Sequence, residues 1–235
     1  MQPIMRRVAK AGSLIMLWML VSISATTAES GTSASGSQTA KKHAVKVLFV
    51  GNSHLLVKNV PAQVRQRLLA RYADVQTRMM AVGGASLSYF VGRADVVKAL
   101  TRTNWDVVVL QEASASFLSP LGRRSFHKSV SWFLERIAVK TRVILYQTWP
   151  WRTGSHYYGG RQFDEDSMWS IMRLEYGRIS QHRRISLAPV GQCWVQSPRK
   201  QAFYSSDGNH ASTAGARFAA RIIANTITDS RQKGC

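Results

Sequence analysis

Two short blocks near opposite ends of the chain hold residue types suited to covalent chemistry. Ser53 lies in Gly51-Asn52-Ser53-His54, and a carboxylate and an imidazole lie three residues apart in Asp207-Gly208-Asn209-His210. A serine hydroxyl is a poor nucleophile until a base takes its proton. An imidazole does this best when a carboxylate orients it. One tight turn, permitted by glycine at 208, holds Asp207 near His210. The pair Gly83-Gly84 lets backbone N–H groups come close to a substrate, which an oxyanion hole requires. The chemistry implied is acyl transfer through serine. Each residue also has a plain structural reading. A serine after a strand caps helices and forms turns, a glycine pair makes a tight turn, and Asn52 and Asn209 fix turns through local hydrogen bonds. His54 reads as a bystander, because adjacent side chains diverge, and Glu112 as a partner for loop backbone.

Elements of two kinds must position these blocks. Residues 44–50, 75–82, 106–111, 142–148 and 185–190 are short, apolar and rich in β-branched side chains, as strands buried on both faces are. Helical spacing fills the stretches between, at 61–72, 87–100, 125–139, 163–182 and 212–226. Repeated strand–helix alternation implies parallel strands joined by right-handed crossovers. We expect an α/β fold of three layers, α/β/α, around a flavodoxin-like five-stranded parallel sheet. Such sheets bind ligands at the carboxyl ends of their strands. There the chain places Ser53, the Gly83-Gly84 pair, Gln111-Glu112, Trp149 and Trp151, and Trp194. The tryptophans read either as packing or as platforms for sugar rings.

Composition narrows the classes. With 235 residues, 45% of them hydrophobic, the chain can bury one sizeable core. Arg6, Arg7 and Lys10 precede a short apolar run ending in small residues, the pattern of a signal peptide over 1–28. The run falls short of the ~20 residues that span a bilayer; an uncleaved membrane anchor is the second reading. Residues 29–42, rich in Ser, Gly and Thr, read as a flexible linker, and 43–235 as the folded domain. Export to a periplasmic or extracellular space follows, and there Cys193 and Cys235 are expected to pair. The net charge is +20; losing 1–28 removes three of these charges and leaves +17. That balance favours anionic partners such as an envelope surface or acidic polysaccharide. Export and scattered basic residues argue against nucleic acid. No phosphate loop, GxSxG block or zinc-ligand spacing is present, so no metal and no cofactor are expected.

The blocks "VGNSH" and "DGNH", in that order and spread over most of the domain, resemble those of the SGNH hydrolase superfamily, the GDSL-like serine esterases. The resemblance implies Ser53 as nucleophile, His210 as base and Asp207 as its orienting carboxylate. It implies an oxyanion hole of the Ser53 and Gly84 N–H groups. Asn52 stands where aspartate is commoner. The third block departs further, with "LQEAS" in place of Gly-x-Asn-Asp, so Gln111 would have to supply the third donor. Asn52, Trp149 and Trp194 are candidate substrate contacts. The expected function is an exported serine esterase acting on a small-molecule or glycan ester, such as O-acyl groups of an envelope glycan. An acyltransferase with the same triad and a catalytically silent module binding an anionic polymer are the alternatives.

Overall fold

Strands that are apolar on both sides need cover on both faces of the sheet, and that requirement organises the chain. The structure is a computed structural model describing residues 43–154, 157–228 and 235. The expected signal peptide and linker lie outside the described residues. Strand β1 (Val45–Gly51) leads through a short α1 (Ser53–Leu56) into α2 (Val60–Leu68) and β2 (Val75–Ala81). A 3-10 turn at Leu87–Phe90 precedes α3 (Ala94–Arg102) and β3 (Val107–Gln111). A second such turn, Ser114–Leu118, leads to α4 (Pro120–Arg136) and β4 (Arg142–Tyr146). A small antiparallel hairpin, β5 (Tyr157–Tyr158) with β6 (Arg161–Gln162), comes before α5 (Glu165–Ser180) and β7 (Ile185–Ala188). Helices α6 (Val190–Gln196), α7 (Lys200–Phe203) and α8 (Thr213–Thr228) follow.

The five long strands pair in parallel in the order β2-β1-β3-β4-β7. This is the flavodoxin-like order, and the expected three-layer α/β/α architecture is present. Alternation along each strand sorts side chains between the layers. Val47, Phe49, Val109, Ile144 and Tyr146 point to one face, where they meet Val64 and Leu68 of α2 and Ala219 and Ile223 of α8. Leu48, Val50, Val108, Leu110 and Leu145 point to the other, against Val96 of α3, Phe126, Val130 and Phe133 of α4, and Met172 and Tyr176 of α5. Each buried aliphatic or aromatic side chain contributes about 1.5–3 kcal/mol, so the sheet is anchored from both sides.

Local signals explain where the helices depart from expectation. The helix expected over 87–100 is split, because Gly92 takes φ +77° between the 3-10 turn and α3. Helix α4 begins five residues earlier than expected. Ser119 caps it by accepting from the Gly122 N–H at 3.0 Å, and Pro120 suits its first turn. The fifth strand stops at Ala188, and Pro189 opens α6, which the apolar pattern had merged with the strand. Cys193 of α6 is joined to Cys235 by a disulfide. Among the described residues no helix is long and apolar enough to cross a membrane.

Candidate active site

The carboxyl end of β1 is where the chain must turn sharply, and the turn is built from side chains. The Asn52 Oδ1 accepts the His54 N–H at 3.0 Å, capping α1 and leaving Ser53 as its first residue. The Asn52 Nδ2 donates to the Ala85 carbonyl at 2.9 Å, which ties this turn to the Gly83-Gly84 loop after β2. Gly84 holds φ +71°, a backbone conformation that favours glycine. Among the described residues neither the Ser53 N–H nor the Gly84 N–H has a protein acceptor. Two neighbouring loops therefore each offer a free backbone donor.

The Asp207–His210 loop precedes α8. Gly208 turns it at φ +67°, and the Ser205 N–H closes it by donating to the His210 carbonyl at 2.8 Å. Asp207 Oδ1 accepts from the Ser205 hydroxyl and from the N–H groups of Asn209 and His210. Its Oδ2 lies 2.6 Å from His210 Nδ1. Burial pushes this carboxyl up, but the hydrogen bonds from Ser205, His210 and the two backbone N–H groups outweigh it. Asp207 is held below the usual carboxylate range. A carboxylate at Nδ1 requires the proton there, which turns the lone pair of Nε2 outward. That lone pair faces the Ser53 Oγ at 2.8 Å. The structure thus brings Ser53, His210 and Asp207 into one hydrogen-bonded line, with Ser53 and His210 half-buried at the sheet edge.

Gln111 is placed elsewhere than expected. It is fully buried, its Oε1 accepts the Asn52 N–H at 2.8 Å, and its Nε2 donates to the Glu112 carbonyl at 2.6 Å. A donor on one side and an acceptor on the other fix the amide orientation, and it is full burial that keeps the second Nε2 hydrogen away from an oxyanion. Gln111 braces the turn from below. Asn52 is likewise corrected as a substrate contact, being 2% exposed with both ends of its amide occupied. Trp149 and Trp194 are corrected too. Both are fully buried and stacked on each other, with ring centroids 3.8 Å apart and planes 5° from parallel. They cannot receive a sugar ring, but the Trp149 indole N–H donates to the Asn209 carbonyl at 2.9 Å and so steadies the His210 loop from the core.

Two residues near the site hold the plain roles expected of them. His54 is buried with its ring edge on Trp149 at 4.8 Å and its centroid 5.6 Å from that of His210. Burial, then the nearby His210, lower its pKa to about 3, so it is a neutral packing ring. Glu112 accepts from the Leu87 and Ala113 N–H groups and from the Ser116 hydroxyl. Burial pushes its carboxyl up to about 7. It stands in the wall of a cleft of about 340 Å³ that also takes in Gly84, Ser86, Ser116 and Ser125. Among the described residues no group of three or more His, Cys, Asp or Glu side chains is arranged to hold a metal ion.

No family model and no curated protein matches the chain in sequence. Solved structures do. A candidate SGNH hydrolase from Slackia heliotrinireducens is similar with a TM-score of 0.70 and 26% identity, over 78% of this chain and 99% of that one. A DUF4886 family protein from Bacteroides uniformis is similar at 0.60 and 20%, over 81% and 87%. The lipase/acylhydrolase from Enterococcus faecalis is similar at 0.62 and 14%, over 80% and 100%. At the two lower identities the likeness is one of fold.

Proposed function

We propose that this chain, which belongs to the SGNH hydrolase superfamily, is a serine esterase in which Ser53 is the nucleophile, His210 the base and Asp207 the group that orients it. The observation that carries this reading is the unbroken line from Ser53 Oγ through both ring nitrogens of His210 to Asp207 Oδ2. His210 Nε2 takes the Ser53 proton as Oγ bonds to the acyl carbon. The Ser53 and Gly84 N–H groups receive the oxyanion. His210 then protonates the departing alcohol, and water, deprotonated by the same nitrogen, releases the acid and restores Ser53. With Gln111 committed to backbone, the hole rests on two donors. A missing donor costs on the order of 3–4 kcal/mol of transition-state stabilisation, so modest turnover on simple esters is expected.

Residues 1–28 are proposed to be a signal peptide removed on export, and 29–42 a linker to the hydrolase domain at 43–235. The substrate is proposed to be a small-molecule ester or an O-acyl group on an envelope glycan, and transfer to another hydroxyl would use the same groups. Hydrolysis of p-nitrophenyl acetate beside the Ser53→Ala variant tests the reading. Turnover is expected to fall by about 10⁴-fold or more with circular dichroism unchanged. Equal rates in both proteins would remove Ser53 from the chemistry. The silent polymer-binding module is favoured by one observation, the commitment of Gln111, and inert wild-type protein on acetate and longer acyl esters would select it.

A further inference from the structure

Helix α4 packs beside α5, and between them the charges do not balance. Glu175 of α5 is buried, its side chain 6% exposed, and it already serves three partners. His127 Nε2 lies 2.7 Å from one oxygen, Arg178 2.9 Å from the other, and Arg123 Nε 3.9 Å from that second oxygen. Arg124 and Lys128 stand on the same wall, one turn apart on the helix, and pair with no acid among the described residues. Together these groups line an open surface cleft of about 530 Å³. Four permanent cations thus face one carboxylate that is turned inward.

Nothing in the packing calls for Arg124 or Lys128. Like charges one turn apart weaken a helix by roughly 0.2–0.5 kcal/mol, and a concave wall of one sign concentrates its field on whatever enters. A bound oxyanion would relieve that repulsion while meeting Arg forks already held in place by Glu175 and, for Arg123, by the Phe117 carbonyl at 2.7 Å. The cleft wall carries no Phe, Tyr or Trp ring, and its one imidazole, His127, is held against Glu175, whereas single-stranded nucleic acid is gripped by stacking successive bases on aromatic side chains. Charged groups on a flexible, non-aromatic chain are the better match. The placement adds a direction. Leu121, Gly122 and Ser125, on the neighbouring face of the same first turns of α4, line the cleft that contains Gly84.

We infer that the α4–α5 cleft is an anion subsite that grips the carboxylate or sulfate groups of an acidic polysaccharide, so that the chain crosses the start of α4 toward the Gly84 cleft. The use of this grip in ester cleavage rests on the esterase reading above; the binding itself does not.

The test is binding of fluorescein-labelled oligogalacturonate, followed by fluorescence anisotropy, to the full chain carrying Ser53→Ala, which removes turnover. Adding Arg124→Glu with Lys128→Glu is expected to weaken binding by at least about tenfold, with the urea midpoint retained. Raising salt from about 0.05 to about 0.2 M should weaken the parent by more than it weakens the variant, which keeps Arg123 and Arg178. If the reversed charges unfold the protein, Arg124→Gln with Lys128→Gln replaces them, with the same loss expected. Equal affinity with and without the substitutions would overturn the subsite. Tighter binding of a single-stranded oligonucleotide of matched charge, lost in the same variant, would overturn the polysaccharide assignment. Wild-type protein inert on p-nitrophenyl acetate and on longer acyl esters but binding the oligogalacturonate would sink the esterase reading and leave the subsite standing. Hydrolysis without binding would do the reverse.

Discussion

Gln111 Oε1 accepts the N–H of Asn52 at 2.8 Å, so the residue directly before Ser53 is pinned to the end of β3. The contact works because residue 51 is glycine. A Cβ there would overlap the Gln111 amide and come within 3.0 Å of Leu55. The glycine is therefore a matter of space as much as of turning.

That closeness predicts a coupling. Gly51→Ala should destabilise the protein by roughly 1–3 kcal/mol through overpacking. Gln111→Ala should cost about 2–4 kcal/mol, since it leaves a buried N–H and a buried carbonyl unpaired. In the double variant the two losses should fall short of their sum by about 1 kcal/mol or more. Urea unfolding of the four proteins reads the cycle, and strict additivity would refute the close approach.

Asp207→Asn should lower kcat on p-nitrophenyl acetate by about 10⁴-fold with little change in KM, because an amide favours the wrong tautomer of His210. The stability effect has a definite sign. A carboxyl held below its ordinary range stabilises the fold above that range and loses this contribution as pH falls through its folded value. The variant should thus be less stable than wild type at neutral pH and converge with it in strong acid.

Glu112 has the opposite sign. Its folded pKa of about 7 stands above the ordinary 4.5, so the folded state keeps a proton that the unfolded chain releases. Its contribution to stability should fall as pH rises from about 4.5 to 7, by about 3 kcal/mol in all, and level off above that. His54, kept neutral in the fold, contributes a rise of opposite sign up to its ordinary 6.5. The difference in urea midpoint between wild type and Glu112→Gln, followed from about pH 5 to about pH 8, isolates the Glu112 slope. A difference that does not change with pH would refute it.

His54→Phe should keep turnover within about tenfold and leave the pH dependence of kcat/KM where it was, because the ring acts by packing against Trp149 and titrates far below neutrality. A displaced profile would assign His54 a part in proton transfer.

The sheet was legible because strands covered on both sides are apolar at nearly every position, as Val107 to Leu110 are. The Ser53, Asp207 and His210 blocks were legible because the last two sit within one turn. Gln111 was not, since its partners come from the end of β1, 59 residues away, and its own carbonyl neighbour. The exposure of Trp149 and Trp194 depended on a stack between two strand exits that no local pattern encodes. The basic cleft was hidden for the same reason. "GRRSFHKS" reads as scattered charge until α5 brings Glu175 against His127, 48 residues on.

The bond between Ser53 and His210 spans 157 residues, and this sets when the protein can first act. A chain emerging from the ribosome or a translocation pore delivers its hydroxyl early and its base almost last. Until the loop before α8 docks, such a chain carries an ordinary alcohol and threatens no ester it passes. Because α8 also covers one face of the sheet, proteolytic loss of that helix with its preceding loop would remove the imidazole and uncover the core together.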